Sequence, residues 1–453
     1  VDLNDKNLEL LLANQFEIDC IQIELKQQKD DDPIIYSGPG SITQKPDGNF
    51  HLKLYHSFND VTKELMPSLG NTMPGKIIRK EEFFSMEAVD ISGNTWTADD
   101  ISVPEGFSIP ATGKIVKSKI RNLCCEKYRE GVVNKTSTFF FLVIPGKHHI
   151  PCNEWEEGKG GGQSLNTCKV NISGIDIEIK DRENCLTVRA DDSAGNMSES
   201  FKERLIEAIS IVFGKLCPVL YSSYSAHNTR TSILRSISSN TPNQRMATPI
   251  KHRAPWEVSN FREFIEKYLN SFESEHNLFY GYWHKINRSW QGGIESAALS
   301  ISTAIEGVTK NYYSEYGFPD DEIVQQANEA KSLIKKLDIG ERIKRRIQSS
   351  VGQVKSSSPK NALYKLADEG KVDRNLVGAW VSLRNKSAHA DNLDEDIGVL
   401  QSYIDEVYKC QNLFNVLLLL KIGFDGKYQD LSKDGWSENT LVLDSEKEGQ
   451  DNA

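Results

Sequence analysis

Apolar residues recur with a period of two along the first part of the chain and with a helical period after about residue 256, which predicts strands followed by helices. Phe50-His51-Leu52-Lys53-Leu54-Tyr55-His56 alternates strictly after the turn sequence Pro46-Asp47-Gly48-Asn49, as the second strand of a hairpin does. Ile115–Leu123 and Thr138–Ile144 read as further strands. The second is apolar on both faces (Phe139-Phe140-Phe141-Leu142-Val143-Ile144), so it belongs in the middle of a sheet. Ile175-Asp176-Ile177-Glu178-Ile179 alternates again, turns at Asp181–Asn184 and returns through Leu186 and Val188. Ser200 and Glu203 then form a capping box that opens a helix. Its apolar face is Phe201, Leu205, Ala208, Ile209, Val212 and Leu216, and Pro218 stops it; the expectation is a β-rich domain over 1–220 closed by this helix.

Residues 221–256 are rich in Ser, Thr, Asn and Pro, with little periodicity, and read as a linker. The segment holds Arg230, Arg235, Arg245, Lys251 and Arg253 and no Asp or Glu, so it is either a solvated connection or a basic arm that follows an RNA backbone. Beyond it the stripes are helical. Phe261, Phe264, Ile265, Tyr268, Leu269 and Phe272 form one, and Ile294, Ala298, Ile301, Ile305, Val308 and Tyr312 a longer one ended by Gly317-Phe318-Pro319. In 341–355, Ile343, Ile347, Val351 and Val354 are expected to face inward, with Arg342, Lys344, Arg345 and Arg346 on or beside the other side. A helix over about 373–390 follows, and Asn392 with Glu395 opens a last long helix through Ile397, Leu400, Ile404, Val407, Phe414, Leu417 and Leu418. The fold class is therefore α+β: a β-rich N-terminal domain, a basic linker over 221–256, an all-α bundle over 257–429, and an acidic tail over 430–453 with seven acids against two lysines.

Composition changes this picture little. At 453 residues two or three domains are expected, and 26% charged residues with a formal net charge of −10 describe a globular protein not coated in nucleic acid. A local basic groove remains compatible with that charge; 331–360 holds nine Lys/Arg against two acids, as a solvated helix face or as a phosphate track. The chain opens VDLNDKNLELLLANQ without a secretory pattern, and its apolar runs fall far short of the ~20 residues that span a bilayer, so a cytoplasmic protein without membrane contact is expected. Eight cysteines include no CxxC pair and read as free thiols; His148, His149, Cys152 and Cys168 are the one cluster that could reach a zinc ion, against the plainer reading of bystanders. Gly158-Lys159-Gly160-Gly161-Gly162 lacks P-loop spacing.

The stretch with the most chemistry is Ser382-Leu383-Arg384-Asn385-Lys386-Ser387-Ala388-His389. Leu376, Val377, Trp380, Val381 and Leu383 lead into it at helical spacing. Asn385 and His389 are i,i+4 and share a face, and the long fork of Arg384 can reach a ligand held there. Arg384-Asn385-Lys386-Ser387-Ala388-His389 resembles the R-[polar]-x3-to-x5-H signature of HEPN ribonuclease domains. The helices over about 255–430 look like the HEPN domain of ApeA-like anti-phage proteins, and the β-rich half looks more loosely like their N-terminal domain.

The resemblance implies a metal-independent RNA endonuclease without cofactor, working as a homodimer or higher homo-oligomer in abortive infection, with host tRNA as the substrate it points to and a phage-derived trigger as a partner. His389 would then be the acid/base, Arg384 the phosphate clamp and Asn385 an orienting group. Glu306, in Ala304-Ile305-Glu306-Gly307, would hold Arg384 by a bidentate bond, and Arg342, Lys344, Arg345 and Arg346 would hold RNA. The chemistry agrees with a dimer: in-line attack needs a base and an acid on opposite sides of phosphorus, and a two-fold partner supplies the second histidine. The competing readings are a non-catalytic helical module that binds RNA or protein, in which Arg384 pairs with a carboxylate and His389 caps its helix, and a β-domain with its own sugar or metal site.

Overall fold

The computed structural model describes residues 5–57, 75–103, 113–128, 138–157, 163–195, 197–226, 229–238, 245–272, 277–389 and 397–441. The fold is α+β, and the chain divides into two compact units, 1–199 with 217–242 and 200–216 with 243–453.

The first unit is built on an antiparallel ladder. Its strands are β1 (Glu17–Gln27), β2 (Ile35–Gln44), β3 (Phe50–Ser57), β4 (Phe84–Asp90), β5 (Thr95–Ile101), β6 (Gly113–Ile120), β7 (Asn122–Tyr128), β8 (Thr138–Pro145), β9 (Glu154–Glu157), β10 (Gln163–Ile172), β11 (Ile175–Asp181), β12 (Cys185–Asp192), β13 (Tyr221–Ala226) and β14 (Thr229–Arg235). Their order is β6-β3-β2-β1-β4-β5-β7-β14-β13-β8-β12-β11-β10-β9. Alternation drives the pairing: Phe50, Leu52 and Leu54 of β3 are buried, and the residues between them are less so. Gly40 lets β2 lie close to β3, because a Cβ there would run into the Lys53 carbonyl.

Ile115–Leu123, expected as one strand, is divided at Arg121. β6 pairs with β3 through the first part, and β7 pairs with β14 and, briefly, β5 through the second. Ser236 fastens the junction, donating to Ile120 O at 2.6 Å and accepting from Phe50 N at 2.8 Å. The enclosed core includes Leu11 of helix α1 (Asp5–Leu12), Phe50, Trp96, Ile120, Leu123 and Leu234.

Two expectations need correction here. Tyr221–Arg235 is not a linker: β13 pairs with β8 and β14 with β7 in the middle of the ladder. Its pattern was hidden because buried positions carry hydroxyls, Ser222, Ser223 and Ser232. Arg230 and Arg235, read as part of a solvated connection or a basic arm, donate to Ser223 Oγ at 2.7 Å and Ser222 Oγ at 3.2 Å. Helix α2 (Glu199–Phe213) belongs to the second unit rather than closing the first. It ends at Gly214 (φ +64°), before Pro218, because the left-handed turn there brings the chain against the Met246 carbonyl where a Cβ would clash.

The second unit continues with α3 (Val258–Phe272), α4 (Leu278–Ser289), α5 (Ile294–Tyr312), α6 (Asp321–Lys336), α7 (Glu341–Gln353), α8 (Pro359–Asp368), α9 (Arg374–His389) and α10 (Ile397–Ile422). Rings of Phe264, Tyr268, Phe272, Phe279, Tyr312 and Phe414 meet across α3, α4, α5 and α10. The α7 stripe does not face inward: no residue of α7 is buried and Ile343 is 60% exposed. Helix α6 is the element it packs against. Residues 430–441 are not a tail either. β15 (Lys427–Gln429) pairs with β16 (Glu438–Thr440), and Asp430 and Leu431 between them are buried against Asn412 of α10. Asn392, Glu395 and 442–453 lie outside the described residues. No helix among the described residues is long and apolar enough to cross a membrane.

Asp90 organises the β4–β5 turn. Its carboxylate accepts from Ser92 N, Asn94 N, Asn94 Nδ2 and the buried indole of Trp96 at 2.7–2.9 Å. Burial pushes the carboxyl up, but these donors outweigh it and hold it below its ordinary value. The carboxylate therefore contributes stability that is present above about pH 4 and lost as pH falls through its lower folded value. Asp90→Ala should cost about 1–3 kcal/mol at pH 7, with a smaller deficit near pH 3, because Trp96 loses its acceptor. Thermal unfolding at the two pH values checks this; equal midpoints for variant and wild type at pH 7 would contradict it.

Candidate functional site

Helix α9 presents an apolar face with buried Leu376, Val377, Trp380 and Leu383 and a polar edge at its C-terminal end. Among the described residues two side-chain bonds join it to α5. The Trp380 indole donates to Ser302 O at 3.1 Å, and Arg384 Nε donates to Glu306 Oε2 at 3.1 Å. Residues 380 and 384 are i,i+4, as are 302 and 306, so both bonds lie on one face of each helix. The Arg384 guanidinium also lies over the Trp380 ring, 5.8 Å from its centroid.

Arg384 is 54% exposed and Glu306 25%. The expected bidentate bond is a single one through Nε, and among the described residues no other acceptor takes the terminal nitrogens of Arg384. Glu306 is shared, since Lys310 Nζ donates to its other oxygen at 2.6 Å. Lys310 first and then Arg384 hold its carboxyl below the ordinary range, against the opposing effect of partial burial. The carboxylate thus stays charged at neutral pH and keeps the guanidinium aimed. A second carboxylate, Glu406 of α10, accepts from Ser382 Oγ at 3.1 Å and Lys386 Nζ at 2.8 Å.

The remaining expected residues are placed as follows. Asn385 is exposed beside Arg384, and His389 is the last residue of α9, with its side chain outside the described residues. Arg342, Arg345 and Arg346 are exposed on α7, while Lys344 is half-buried and pairs with Glu341 at 3.3 Å. Helix α7 packs against α6, and no described bond joins its basic residues to Arg384. Ser302, Ser382, Lys386 and Glu406 were not singled out from sequence. Lys386 and Ser382 are i,i+4 with one acceptor, a spacing that could have marked them as facing α10.

His148 is buried, with Nε2 3.2 Å from Pro145 O, His149 is exposed, and Cys152 and Cys168 are buried. Burial, then Cys152, pushes the Cys168 thiol up to about 12, so it behaves as a small apolar side chain. No group of three or more His, Cys, Asp or Glu able to hold a metal ion occurs among the described residues.

No family model matches this chain, and neither a curated protein nor a solved structure matches it.

Magnitudes separate what holds α9 from what aims Arg384. Burying Trp380 is worth several kcal/mol, whereas a half-exposed ion pair contributes at most about 1 kcal/mol. Trp380→Ala should therefore cost about 3–5 kcal/mol and Glu306→Gln less than about 1 kcal/mol in urea unfolding. A Glu306→Gln cost as large as that of Trp380→Ala would show that the ion pair is structural.

Proposed function

We propose that the helical unit is a metal-independent endoribonuclease of the HEPN type. The observation that carries this reading is the guanidinium of Arg384, half exposed, aimed by Glu306 and standing five residues before His389 on one helix. Glu306 bonds Nε alone, so the outer edge of the guanidinium is left to solvent. That edge suits two phosphate oxygens. The resemblance of Arg384–His389 to the HEPN motif supports the same reading.

The proposed step uses the nucleophile that RNA carries. A base takes the 2′-hydroxyl proton, the oxygen attacks phosphorus, and the 5′-oxygen leaves with a proton from an acid, giving a 2′,3′-cyclic phosphate and a 5′-hydroxyl. His389 takes one proton-transfer role and His389 of a two-fold-related copy the other, while Arg384 holds the charge on phosphorus and Asn385 orients the ribose or the imidazole. Unstacked single strands and loops are the substrates, because in-line geometry needs a pliable backbone, and host tRNA is the class proposed. The setting proposed is abortive infection in the cytoplasm, with the β-rich unit controlling the nuclease. The competing reading, a non-catalytic module that binds RNA or protein, is favoured by the uncovered apolar side chains of Ile343 and Ile347 on α7 and of Val354 just past its end.

Incubating the full chain with total tRNA in EDTA separates the two. Wild type is expected to cleave, and Arg384→Ala and His389→Ala to lower the rate at least about 10²-fold with unchanged unfolding midpoints. Glu306→Gln is expected to lower it about tenfold through misplacement of Arg384. Cleavage unaffected by His389→Ala, or abolished by chelation, would overturn the mechanism.

A further inference from the structure

The helical unit contains a cavity, away from Arg384, whose lining combines cations with aromatic rings. It has a volume of about 570 Å³ and lies between residues 245–257, α10 and the β15–β16 turn. Three cations, Arg245, Lys251 and Arg253, share it with the aromatic side chains of Trp256, Tyr408 and Trp436, and Phe213 and His252 also line it. Trp256 is 79% exposed, so its ring face is open to a ligand in the cavity. Tyr408 stands between Trp290 and Trp436, with ring centroids at 6.0 and 5.4 Å. The acids here are Glu257, which is buried in the lining, and Glu438, which pairs with Lys251 at 3.6 Å; neither is bonded to either arginine among the described contacts. The two guanidiniums are near enough to oppose each other, since partial desolvation and then Arg253 lower the proton affinity of Arg245.

The walls are fixed before any ligand arrives. Met246 N donates to Gly214 O at 2.7 Å, Gln411 Nε2 to Ala247 O at 2.8 Å and Gln429 N to Pro249 O at 2.7 Å. Thr248 Oγ1 donates to Gln429 Oε1 at 2.9 Å, which places an amide and a hydroxyl on the same lining. A ligand that uses every part of this cavity carries an anion for the arginines, a flat ring for the indoles and phenol, and polar ring edges for Thr248 and Gln429.

We propose that this cavity binds a nucleoside phosphate, with the phosphate on Arg245 and Arg253 and the base against Trp256 and Trp436. The volume suits a ligand of that size, and base–aromatic stacking with cationic phosphate contacts is the common physical basis of single-strand recognition. The site is separate from Arg384. Tyr408 and Glu406 are two residues apart on α10, about 200° around the helix, so the cavity and α9 lie on opposite sides of it. The inference does not rest on the nuclease reading. The nucleoside phosphate is either a free nucleotide or one unit of an RNA strand, and the test distinguishes them.

Isothermal titration of the full chain with AMP, adenosine, inorganic phosphate and a four-nucleotide single strand provides the test. AMP is expected to bind with a Kd below about 1 mM, with adenosine and phosphate each at least about tenfold weaker. Arg245→Gln with Arg253→Gln, and separately the exposed Trp256→Ala, should each weaken AMP about tenfold or more with unchanged unfolding midpoints. A tetranucleotide bound at least about tenfold more tightly than AMP identifies a strand as the ligand; equal affinities identify a free nucleotide. No AMP binding at about 1 mM, phosphate binding as tight as AMP, or AMP affinity unchanged in Trp256→Ala would overturn the proposal.

Discussion

Everything proposed for the polar end of α9 depends on how that helix is seated against α5. Trp380 is the anchor: its ring is buried, its N–H reaches the Ser302 carbonyl, and its upper face carries the Arg384 guanidinium. An arginine on a free helix end samples many rotamers and binds an anion at the cost of ordering them. Arg384 has part of that cost already met by a π face below it and a carboxylate beside it. The ion pair is too exposed to matter much to stability, so its effect is on direction. This division, with apolar burial fixing the helix and polar contacts fixing the side chain, makes the site separable from the fold by mutation.

The large secondary-structure elements were legible because their patterns are strong. The strict alternation of β3, the doubly apolar β8 and the stripes of α3 and α5 each correspond to observed elements. What escaped did so for physical reasons. β13 and β14 bury serines whose hydroxyls are satisfied inside the sheet, so a polar sequence hides central strands. Helix α7 has an amphipathic pattern, yet pattern alone does not say whether a partner element covers the stripe. Residues 430–441 are acidic, but Asp430 is buried with donors from Asn412 Nδ2 and Ser432, and so behaves as a turn-former rather than a solvated charge. In the candidate site the Arg384–Glu306 pairing could be anticipated from the motif and its neighbouring helix, whereas its single-bond geometry and the Glu406 contacts could not.

Helix α10 is the element that relates the rest of the helical unit to α9. On one side Glu406 holds Ser382 and Lys386, and on the other Tyr408 lines the basic, aromatic cavity. The burial of α10 from Val407 to Leu419 is nearly continuous, so a displacement on one side has little room to be absorbed locally. The unit thus carries the Arg384 side chain and the basic, aromatic cavity on opposite sides of one packed helix.

The proposed nuclease cuts RNA through its own 2′-hydroxyl at a phosphate held by Arg384. The most direct measurement is the chemistry of the new ends after cleavage by the full chain, using an RNA of defined sequence and a matched strand with a 2′-deoxy sugar at the cut position. The account predicts 2′,3′-cyclic phosphate and 5′-hydroxyl ends from the first and no cleavage of the second. Ends with 3′-hydroxyl and 5′-phosphate, or cleavage of the deoxy-substituted strand at the same position, would contradict it.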